Sequence, residues 1–334
     1  MLILITGASG RIGSVAVTKL AQLGHRVRGF VMDNDPLRSR LDELDVEVVT
    51  GDLATGEGLE EAVAGVEAII HLGALMAWTL DDHRSLFDIN VQGTYNLLQT
   101  VLEQGVVLHR FVLASTDASY PASASLYSPV DEHHPQVPNL FYGMTKQATE
   151  IIAEYYRRSH DIPVTRVRFC YTLSPDEVID PTNPHAGRTF YLNPRIARMQ
   201  SNPNLSAKER KTLELLKKVR PADGSERIFI PYGENGESYI FTLCHVDDLV
   251  DGIKLVLEQD AAVGDVYNLG PSGPFAMDVA MKYMSEKTGV PYVELRLPGE
   301  AIVYSVDTSK ARSVLGFSPK HDIFSILDEA TENV

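Results

Sequence analysis

Short apolar runs alternate with longer amphipathic stretches along the first half of the chain. The apolar runs predict strands at residues 2–5, 27–31, 46–49, 68–72, 110–114 and 165–169. Between them, residues 58–64, 85–104 and 142–159 have the spacing of helices, and a further helix follows the first strand and ends at Gly24. Strands that alternate with helices form a parallel sheet covered on both faces. The pattern therefore predicts an α/β fold with a doubly wound parallel sheet.

A glycine-rich turn joins the first predicted strand to the first helix. Gly7, Gly10 and Gly13 form a G-x-x-G-x-x-G pattern there. Glycine lets the backbone approach a pyrophosphate closely, and the start of the helix offers unpaired N–H groups and a favourable dipole. The position between a strand and a helix makes the pattern specific, and it predicts a dinucleotide site.

The character of the sequence changes after Pro175. Residues 176–201 are rich in Pro, Asn and Gly and predict a loop, whereas the capping-box spacing of Ser206 and Glu209 predicts a helix after it. Strand-like sequence returns near 241 and 265, and the last sixty residues show a mixed α/β pattern. We therefore expect a Rossmann-type dinucleotide-binding domain and a smaller mixed α/β substrate lobe, with the boundaries 1–175 plus 236–270 and 176–235 plus 271–334.

The end of the second strand bears on the choice of dinucleotide. Asp33 could bond the adenosine ribose of NAD and would repel the 2′-phosphate of NADP. Val31 and Met32 precede it, where a clearer NAD signal would be acidic, and Arg11 or Arg38 could instead meet a phosphate. The charge argument favours NAD and leaves NADP open.

Tyr142 and Lys146 lie four residues apart in a predicted helix, so they share one face. An ammonium group beside a phenol favours the phenolate and lowers the pKa of the tyrosine. Such a tyrosine can move a proton near neutral pH. A nicotinamide would carry the accompanying hydride, which no side chain can do.

Composition limits the remaining possibilities. The chain of 334 residues has a net charge of −15, which argues against general affinity for nucleic acid or an anionic membrane. The two cysteines, Cys170 and Cys244, lie in strand-like runs and show no disulfide framework or metal spacing, so we expect no metal. No apolar run is long enough to span a bilayer, and the first strand at Leu2 leaves no room for a signal peptide. These features favour a cytoplasmic enzyme with a small-molecule substrate.

Taken together, the motifs resemble those of the extended short-chain dehydrogenase/reductases, the group of NAD-dependent sugar epimerases and dehydratases. The resemblance runs through nearly the whole length and rests on the segments at 6–13, 51–53, 71–74, 90–94, 115–117, 142–146 and 245–249. It implies that Tyr142 is the acid/base, that Lys146 bonds the nicotinamide ribose, and that Thr116 orients the substrate oxygen. The cofactor residues that it implies, together with those named above, are Gly7, Gly10, Arg11, Ile12, Gly13, Asp33, Asp52, Leu53, Leu72, Gly73, Ala74, Asn90, Tyr142 and Lys146.

Several positions keep two interpretations. Asp52 could bond an adenine amino group or support a turn. Asp117 lies where related dehydratases carry a general acid, but Ala118 replaces their general base, so that dehydration loses its proton-abstracting group. Asp117 could serve another acid/base task or end a turn. Phe241 stands where sugar-nucleotide epimerases of this group carry an arginine that clamps the diphosphate, which puts that grip in doubt.

Residues 182–220 form a basic segment in this acidic protein, with nine Lys and Arg residues against two acids. The part from Lys208 to Arg220 is typical of a solvated helix face. Arg188, Arg195 and Arg198 could grip a phosphate or carboxylate of the substrate, or could lie only at the surface. We group them with Tyr171 as candidate substrate residues.

Other functions and assemblies remain open from the sequence. An NADP-dependent carbonyl reductase of the same architecture is the main alternative, and a non-catalytic cofactor sensor is a remote one. Relatives pair two long helices into a homodimer. The residues that could support one here, or could equally face the sheet, are Leu97, Leu98, Val101, Ile151 and Ile152. His71 is expected to be a packed core residue, and His245 to mark a structural turn that enters a helix.

Overall fold

The computed structural model describes residues 1–44, 46–77, 79–121 and 125–332. Its strands are β1 (Leu2–Thr6), β2 (Arg26–Val31), β3 (Glu47–Thr50), β4 (Ala68–His71), β5 (Arg110–Thr116), β6 (Val164–Phe169), β7 (Thr172–Leu173), β8 (Ile228–Tyr232), β9 (Ile240–Phe241), β10 (Cys244–His245), β11 (Val266–Leu269), β12 (Phe275–Ala276) and β13 (Tyr292–Arg296). Its α-helices are α1 (Arg11–Gln22), α2 (Leu59–Val63), α3 (His83–Leu86), α4 (Gly93–Glu103), α5 (Phe141–His160), α6 (Pro175–Ile179), α7 (Ala186–Phe190), α8 (Leu192–Ser201), α9 (Ala207–Val219), α10 (Val246–Glu258), α11 (Met277–Thr288), α12 (Ser309–Leu315) and α13 (Ile323–Glu332).

Seven strands form one parallel sheet in the order β11-β6-β5-β4-β1-β2-β3. The chain builds outward from β1 to β3, then returns to the other side of β1 with β4. Ligands of open α/β sheets bind at the carboxyl ends of the strands where the order reverses in this way. The sheet confirms the predicted doubly wound α/β fold and places the glycine turn after β1 at this point.

Alternate side chains of each strand enter two separate cores. Ile3 and Ile5 face the core formed with α1 and α10, whereas Leu2 and Leu4 face the core formed with α2, α4 and α5. Burial of both faces explains why the strands read as continuous apolar runs. Helix α12 packs beside β11 on the sheet.

The remaining elements form smaller packed groups beside the sheet. Strand β8 pairs in parallel with β13, and β9 pairs antiparallel with β12. A third core contains Phe190, Tyr191, Ile228, Met281 and Ile326 and joins α7, β8, α11 and α13. The proposed division of the chain into two domains stays a prediction.

The prediction of a loop at residues 176–201 is wrong, because α6, α7 and α8 occupy most of this range. Two prolines of this region stand where helices tolerate them: Pro175 is at the start of α6, within a capping box formed by Ser174 and Glu177, and Pro194 lies in the first turn of α8. A proline in the first turn loses no intrahelical hydrogen bond.

The other predicted elements agree closely with the structure. The capping box at Ser206 and Glu209 is present at the start of α9. The predicted helix at 85–104 is interrupted by a π-helical turn, Phe87–Gln92, between α3 and α4. Among the described residues, we find no helix with both the length and the apolar character needed to cross a membrane.

Candidate active site and cofactor cradle

The glycine turn is packed so closely that side chains would not fit. A Cβ atom on Gly13 would lie 2.0 Å from the carbonyl oxygen of Gly7, and one on Gly7 would lie 2.9 Å from the Cα atom of Gly73. Gly7 also has a φ of +66°, which favours glycine. Gly10 is the N-cap of helix α1 and provides no side-chain cap. The turn therefore leaves the first N–H groups of α1 available for an anion, as a bound pyrophosphate requires.

Arg11 is engaged away from the turn. Its guanidinium pairs with Glu177 and donates to the carbonyl oxygen of Thr172 at 2.8 Å. Glu177 also accepts from the backbone of Ser174 in the capping box of α6. The side chain of Arg11 therefore joins α1 to α6, and a contact of its backbone N–H with a cofactor stays a prediction.

The acidic residue that meets the glycine turn is Asp35. Its carboxylate accepts a hydrogen bond from the Ser9 hydroxyl within the turn and another from the backbone of Leu37 at 2.8 Å. The guanidinium of Arg40 reaches the Ser9 carbonyl oxygen at 3.3 Å. Asp33, the residue predicted from the sequence, is exposed. Their positions in the sequence could not distinguish Asp33 from Asp35, because the conformation of the turn after β2 decides which carboxylate approaches the glycine turn.

Asp52 supports a turn, because its carboxylate accepts from the backbone of Ala54 at 2.8 Å. Leu53, which follows it, packs against Gly73 in the loop after β4. A Cβ atom on Gly73 would lie 2.7 Å from the Leu53 side chain. Leu72, Gly73 and Ala74 leave the end of β4 directly beside the glycine turn, so the predicted cofactor residues of these two segments are brought together. The adenine contact of Asp52 stays a prediction.

Asn90 fixes the loop that follows β4. Its amide oxygen accepts from the backbone of Leu75 at 2.7 Å, and its amide nitrogen donates to the Leu75 carbonyl oxygen and to the Thr145 hydroxyl, each at 3.0 Å. The residue is buried and lies in the π-helical turn. Such turns are frequent at functional sites. Asn90 thus ties the β4 loop to α5.

Thr116, Asp117, Tyr142 and Lys146 converge at the end of β5 and the start of α5. The Thr116 hydroxyl donates to the Asp117 carboxylate at 3.3 Å and hydrogen-bonds the phenol of Tyr142. Lys146, one turn along α5, is buried. The predicted catalytic residues therefore share one site at the carboxyl edge of the sheet.

The pKa of Tyr142 differs from the sequence-based expectation. We expected Lys146 to lower it, but burial raises the pKa of Tyr142, the negative charge of Asp117 raises it further, and the Thr116 hydrogen bond lowers it. Burial also lowers the pKa of Lys146 to about 8, against an opposing effect of Glu150, and so weakens the expected cation. In the ligand-free protein Tyr142 therefore holds its proton at neutral pH.

Asp117 has a strongly perturbed carboxyl group. Burial raises the pKa of Asp117 to about 6, although the Thr116 hydrogen bond, the nearby phenol of Tyr304 and the backbone of Ala118 and Tyr171 oppose that shift. A carboxyl group that changes charge near neutral pH in a catalytic site is a candidate acid or base. Tyr304, which comes from a segment near the C-terminus, carried no recognisable signal in the sequence.

A cleft of about 1230 Å³ opens beside this site. The start of α5 lines one wall with Pro138, Phe141 and Met144, and the region of α7 and α8 lines the other with Arg188 and Arg198. The phenyl ring of Phe141 stacks on the imidazole of His83, with 3.8 Å between the ring centroids. The cleft is large enough for a ligand of drug or sugar-nucleotide size.

Two of the three predicted arginines lie together in this cleft. Burial and the nearby positive charge of Arg198 lower the pKa of Arg188 to about 10, while Tyr171 opposes the shift. Burial also lowers the pKa of Arg198, again against Tyr171. Two guanidinium groups that repel each other would be stabilised by an anion placed between them.

Arg195 is not among the described residues that line the cleft, although it lies near the charge of Arg198, and its role in substrate binding stays a prediction. Its guanidinium packs over the Phe229 ring, 5.0 Å from the centroid, and reaches the carbonyl oxygen of Arg188 at 3.5 Å. Tyr171 contacts Phe190 and Phe241 edge-on and exchanges a hydrogen bond with Thr189 at 3.1 Å.

His71 and His245 both make hydrogen bonds that support the fold. His71 is buried between the hydroxyl groups of Thr6, at 2.7 Å, and Thr94, at 3.0 Å, as expected for a packed core residue. His245 caps α10 by accepting from the backbone of Asp247 at 3.0 Å through Nδ1.

His245 also approaches His321 and Glu329 closely enough to suggest a metal site. However, the cap bond requires Nδ1 to be unprotonated, so the neutral ring carries its proton on Nε2, which faces Glu329 at 3.4 Å. A metal at Nε2 would have to displace that proton. We therefore assign this cluster no metal chemistry.

Comparisons with known proteins agree with this geometry. A short-chain dehydrogenase/reductase superfamily protein from Agrobacterium tumefaciens, solved with bound NAD, is 32% identical, with a TM-score of 0.88 over 99% of this chain and 96% of the other. A UDP-glucose 4-epimerase from Halalkalibacterium halodurans is 25% identical over 100% of this chain and 95% of its own length. A dTDP-glucose 4,6-dehydratase from Streptomyces niveus is 26% identical over 96% and 88% respectively.

The sequence model of the NAD-dependent epimerase/dehydratase family matches residues 3–270, which include the glycine turn, the β5–α5 site and β11. The expected resemblance is thereby confirmed. The chain belongs to the NAD-dependent epimerase/dehydratase family.

Proposed function

We propose that this protein is an NAD-dependent oxidoreductase or epimerase that acts on a hydroxyl-bearing carbon of a sugar or sugar derivative. The observation that carries the proposal is the convergence of Thr116, Tyr142 and Lys146 at the strand edge beside the glycine turn. The relatives that match nearly the whole chain include enzymes named for UDP-glucose and dTDP-glucose, which supports a sugar nucleotide as the substrate class.

The glycine cradle fits NAD. The tight packing of Gly7, Gly13 and Gly73 and the uncapped start of α1 suit the pyrophosphate, and the carboxylate of Asp35 suits an unphosphorylated adenosine ribose. Lys146 would bond the nicotinamide ribose. The chemistry that NAD supplies when bound is reversible hydride transfer.

The protein's own groups handle the proton. Thr116 orients the substrate oxygen, and Tyr142 exchanges a proton with it as the carbon is oxidised or reduced. Lys146, whose pKa lies at about 8, adds positive charge beside them at neutral pH. A 4,6-dehydration is disfavoured because Ala118 leaves no carboxylate next to Asp117 to abstract the second proton.

The catalytic roles predict a large loss of turnover on conservative substitution. Tyr142→Phe should lower kcat by about 10²- to 10⁴-fold, because general acid–base catalysis is worth that much. The measurement is the conversion of UDP-glucose, UDP-glucuronate and D-glucuronate with NAD, by chromatography and by absorbance at 340 nm. Product with rising absorbance indicates net oxidation, and product without it indicates return of the hydride. Turnover by Tyr142→Phe at the wild-type rate would contradict the proposal.

We further propose that Arg188 and Arg198 grip an anionic part of the substrate. Their shared position in the cleft and their mutual repulsion support this role. Arg188→Ala and Arg198→Ala should each raise KM about tenfold or more, with kcat less affected, as expected for lost binding. Arg210→Ala removes the same charge from the exposed helix α9 and should leave KM unchanged.

The same variants can distinguish a diphosphate from a carboxylate as the anion that is bound. A diphosphate grip predicts that the arginine variants lose binding of UDP-glucose, whereas a carboxylate grip predicts loss for glucuronate alone. Thermal shift with NAD present measures both. Equal KM values in wild type and in both arginine variants, for every substrate that turns over, would remove this assignment.

A further inference from the structure

One side chain connects the glycine turn to the part of the chain that carries the cleft arginines. Arg11 is the first residue of α1 and directly follows Gly10. Its guanidinium holds the Glu177 carboxylate in a fork, with Nε donating to one oxygen and Nη2 donating to the other at 2.6 Å. A forked contact fixes the relative position of two groups as well as attracting them. The proposed function uses the backbone of this turn, but it gives the side chain of Arg11 no role.

The charges of this pair suit its position between two helices. Arg11 is a cation at the start of α1, where the helix dipole is positive and disfavours it, and the Glu177 carboxylate offsets that repulsion. Glu177 also accepts from the backbone N–H of Ser174 at 2.9 Å, which closes the capping box at the start of α6. The two side chains of the pair are only 27% and 15% exposed, so solvent screens them less than a surface pair. The pair therefore fixes the start of α6 to the start of α1.

Close contacts continue from α6 into α7. The Tyr191 hydroxyl donates to the carbonyl oxygen of Ile179, the last residue of α6, at 2.6 Å. A Cβ atom on Gly187 would lie 2.3 Å from the carbonyl oxygen of Pro181, so α7 packs directly on the chain that leaves α6. Arg188 follows Gly187 in α7. The position of Arg188 is thereby linked to that of α6.

A second set of contacts leads from Arg11 to the same place. Nη2 of Arg11 also donates to the carbonyl oxygen of Thr172 at 2.8 Å. The preceding residue, Tyr171, exchanges a hydrogen bond with the Thr189 hydroxyl at 3.1 Å. Thr189 follows Arg188 in α7. Both sets of contacts therefore connect the start of α1 with the helical turn that carries Arg188.

We propose that Arg11 and Glu177 are positioning residues. They hold the segment α6–α8 against the glycine turn, so that a cofactor bound at the turn fixes the two cleft arginines, Arg188 and Arg198, in place for the substrate anion. Neither Arg11 nor Glu177 is among the described residues that line the cleft, so both act through others. This inference rests on the proposed function, because it takes the two cleft arginines as the anion grip.

The direction of the effect follows from the position of Arg11. A pyrophosphate bound by the first N–H groups of α1 restrains the backbone from which Arg11 projects. Local opening of α6–α8 should then become rarer, because the groups that anchor this segment are better ordered. The coupling is reciprocal, so an anion held by the cleft arginines should raise the affinity for NAD by the same factor. The opposite result, more frequent opening of α6–α8, is expected if a pyrophosphate instead draws Arg11 away from Glu177.

The first test measures amide hydrogen–deuterium exchange in the cofactor-free and the NAD-saturated protein, with saturation confirmed by calorimetry. Glu177→Gln removes the charge but keeps a side chain that can close the capping box, and Arg11→Met keeps the aliphatic stem. Asp176→Asn is the matched control, because Asp176 is exposed in the first turn of the same helix. In wild type and in the control, NAD should slow exchange in residues 186–201 about fivefold or more. Both Glu177→Gln and Arg11→Met should lose most of this slowing while they still bind NAD.

Helix α12 is the internal reference, because it packs beside β11 at one edge of the sheet. Slowing of exchange in α12 that equals the slowing in residues 186–201 would indicate general stabilisation by NAD and would overturn the inference. Faster exchange of residues 186–201 in wild type with NAD would also overturn it, as would full slowing in both Glu177→Gln and Arg11→Met.

The second test compares kinetic constants at saturating NAD, with UDP-glucose or D-glucuronate as the substrate. Glu177→Gln should raise KM about fivefold or more and change kcat by less than about twofold, as expected when binding alone is weakened. Because Glu177 acts through Arg188, the double variant Glu177→Gln/Arg188→Ala should have nearly the KM of Arg188→Ala. A rise of KM in the double variant that equals the product of the two separate rises would show independent action and contradict the positioning role. If Tyr142→Phe is inactive while Glu177→Gln keeps the wild-type KM and exchange pattern, the proposed function stands and this inference fails.

Discussion

The charge of the Asp117 carboxyl group affects the stability of this protein. Burial raises the pKa of Asp117 from 3.8 to about 6, so the folded protein holds a proton there that the unfolded chain releases. Stability from this group is therefore complete below about pH 4 and is lost as the pH rises through 6. At neutral pH the fold carries a buried negative charge, as is typical of sites where function opposes stability.

Replacing Asp117 with Asn should stabilise the fold at alkaline pH. A pKa difference of two units corresponds to about 3 kcal/mol, so Asp117→Asn should gain up to that free energy of unfolding at pH 8 and little or nothing at pH 4. Urea unfolding at the two pH values measures the difference. Replacement of Asp33, which is exposed, should give equal changes at both. A gain at pH 4 that equals the gain at pH 8 would exclude the buried charge as its cause.

The preference for NAD should depend on Asp35 rather than Asp33. Asp35→Asn removes the carboxylate held by Ser9 at the glycine turn, so the affinity for NAD should fall and that for NADP should rise, with a combined change of about tenfold in their ratio. Asp33→Asn makes the same chemical change two residues away. Calorimetric titration with each dinucleotide measures both variants. A larger effect of Asp33→Asn would restore the assignment made from the sequence.

The case of Asp33 and Asp35 shows which residues of the site a sequence can predict and which it cannot. The motifs at Thr116, Tyr142 and Lys146 predict the proposed catalytic groups because strand ends and helix spacing place such residues by rule. The pairing of Asp35 with Ser9 depends on an irregular turn, and the phenol of Tyr304 lies near Asp117 because a distant segment brings it there. Neither has a periodicity or a local motif from which it could be found.

The same distinction holds for whole elements. The strands of the sheet are predicted well because each is a short apolar run buried on both faces. The three helices at residues 175–201 were missed because they are short or begin with a proline in the first turn, as α6 and α8 do, and such prolines resemble loop signals. The π-helical turn at Phe87–Gln92 keeps the apolar pattern of a helix, so nothing in the sequence distinguishes it.

Helix α5 and strand β6 are joined by a buried ion pair behind the catalytic face. Arg168 donates to both carboxylate oxygens of Glu150, at 2.8 and 3.0 Å, and to the Tyr120 hydroxyl at 2.7 Å. Ser115 donates to the same carboxylate. Glu150 follows Lys146 by one turn and raises its pKa, so the pair supports the charge of Lys146 in the proposed site.

Breaking this pair should destabilise the protein far more than breaking an outer one. Glu150→Gln leaves the Arg168 charge buried with a neutral partner and should cost about 3 kcal/mol of unfolding free energy. Glu154→Gln, one turn further along α5, weakens partly exposed contacts with Arg157 and Arg158 and should cost less than about 1 kcal/mol. Urea unfolding of both variants provides the comparison.

The double variant Glu150→Met/Arg168→Met separates pairing from packing. Because it removes both charges, it should recover part of the loss seen in Glu150→Gln. If the double variant is less stable than Glu150→Gln by several kcal/mol, the ion pair stabilises the fold by more than the free-energy cost of burying its two charges.

At the scale of the whole molecule, the resemblance predicts that two copies of the chain associate. The homodimer implied by the resemblance uses α4 and α5. Leu97, Leu98 and Val101, named from the sequence as candidate contacts, are at most 1% exposed and pack against the sheet, so they cannot form it. The apolar side chains that these helices present to solvent are Tyr95, Leu102, Ile151 and Tyr155.

A dimer formed through this face should be sensitive to Ile151, whose side chain is 66% exposed in the single chain. Burial of an aliphatic side chain contributes about 1.5–3 kcal/mol, and a charge at the same place must be desolvated, so Ile151→Glu should weaken association at least tenfold. Val107→Glu is the matched control, because Val107 is 90% exposed but lies outside both helices. Sedimentation equilibrium should give twice the 36.9 kDa chain mass for wild type and Val107→Glu, and a lower average mass for Ile151→Glu. A wild-type protein that sediments as a single chain at high concentration would rule out the dimer. Equal dissociation of both variants would place the contact elsewhere on the surface.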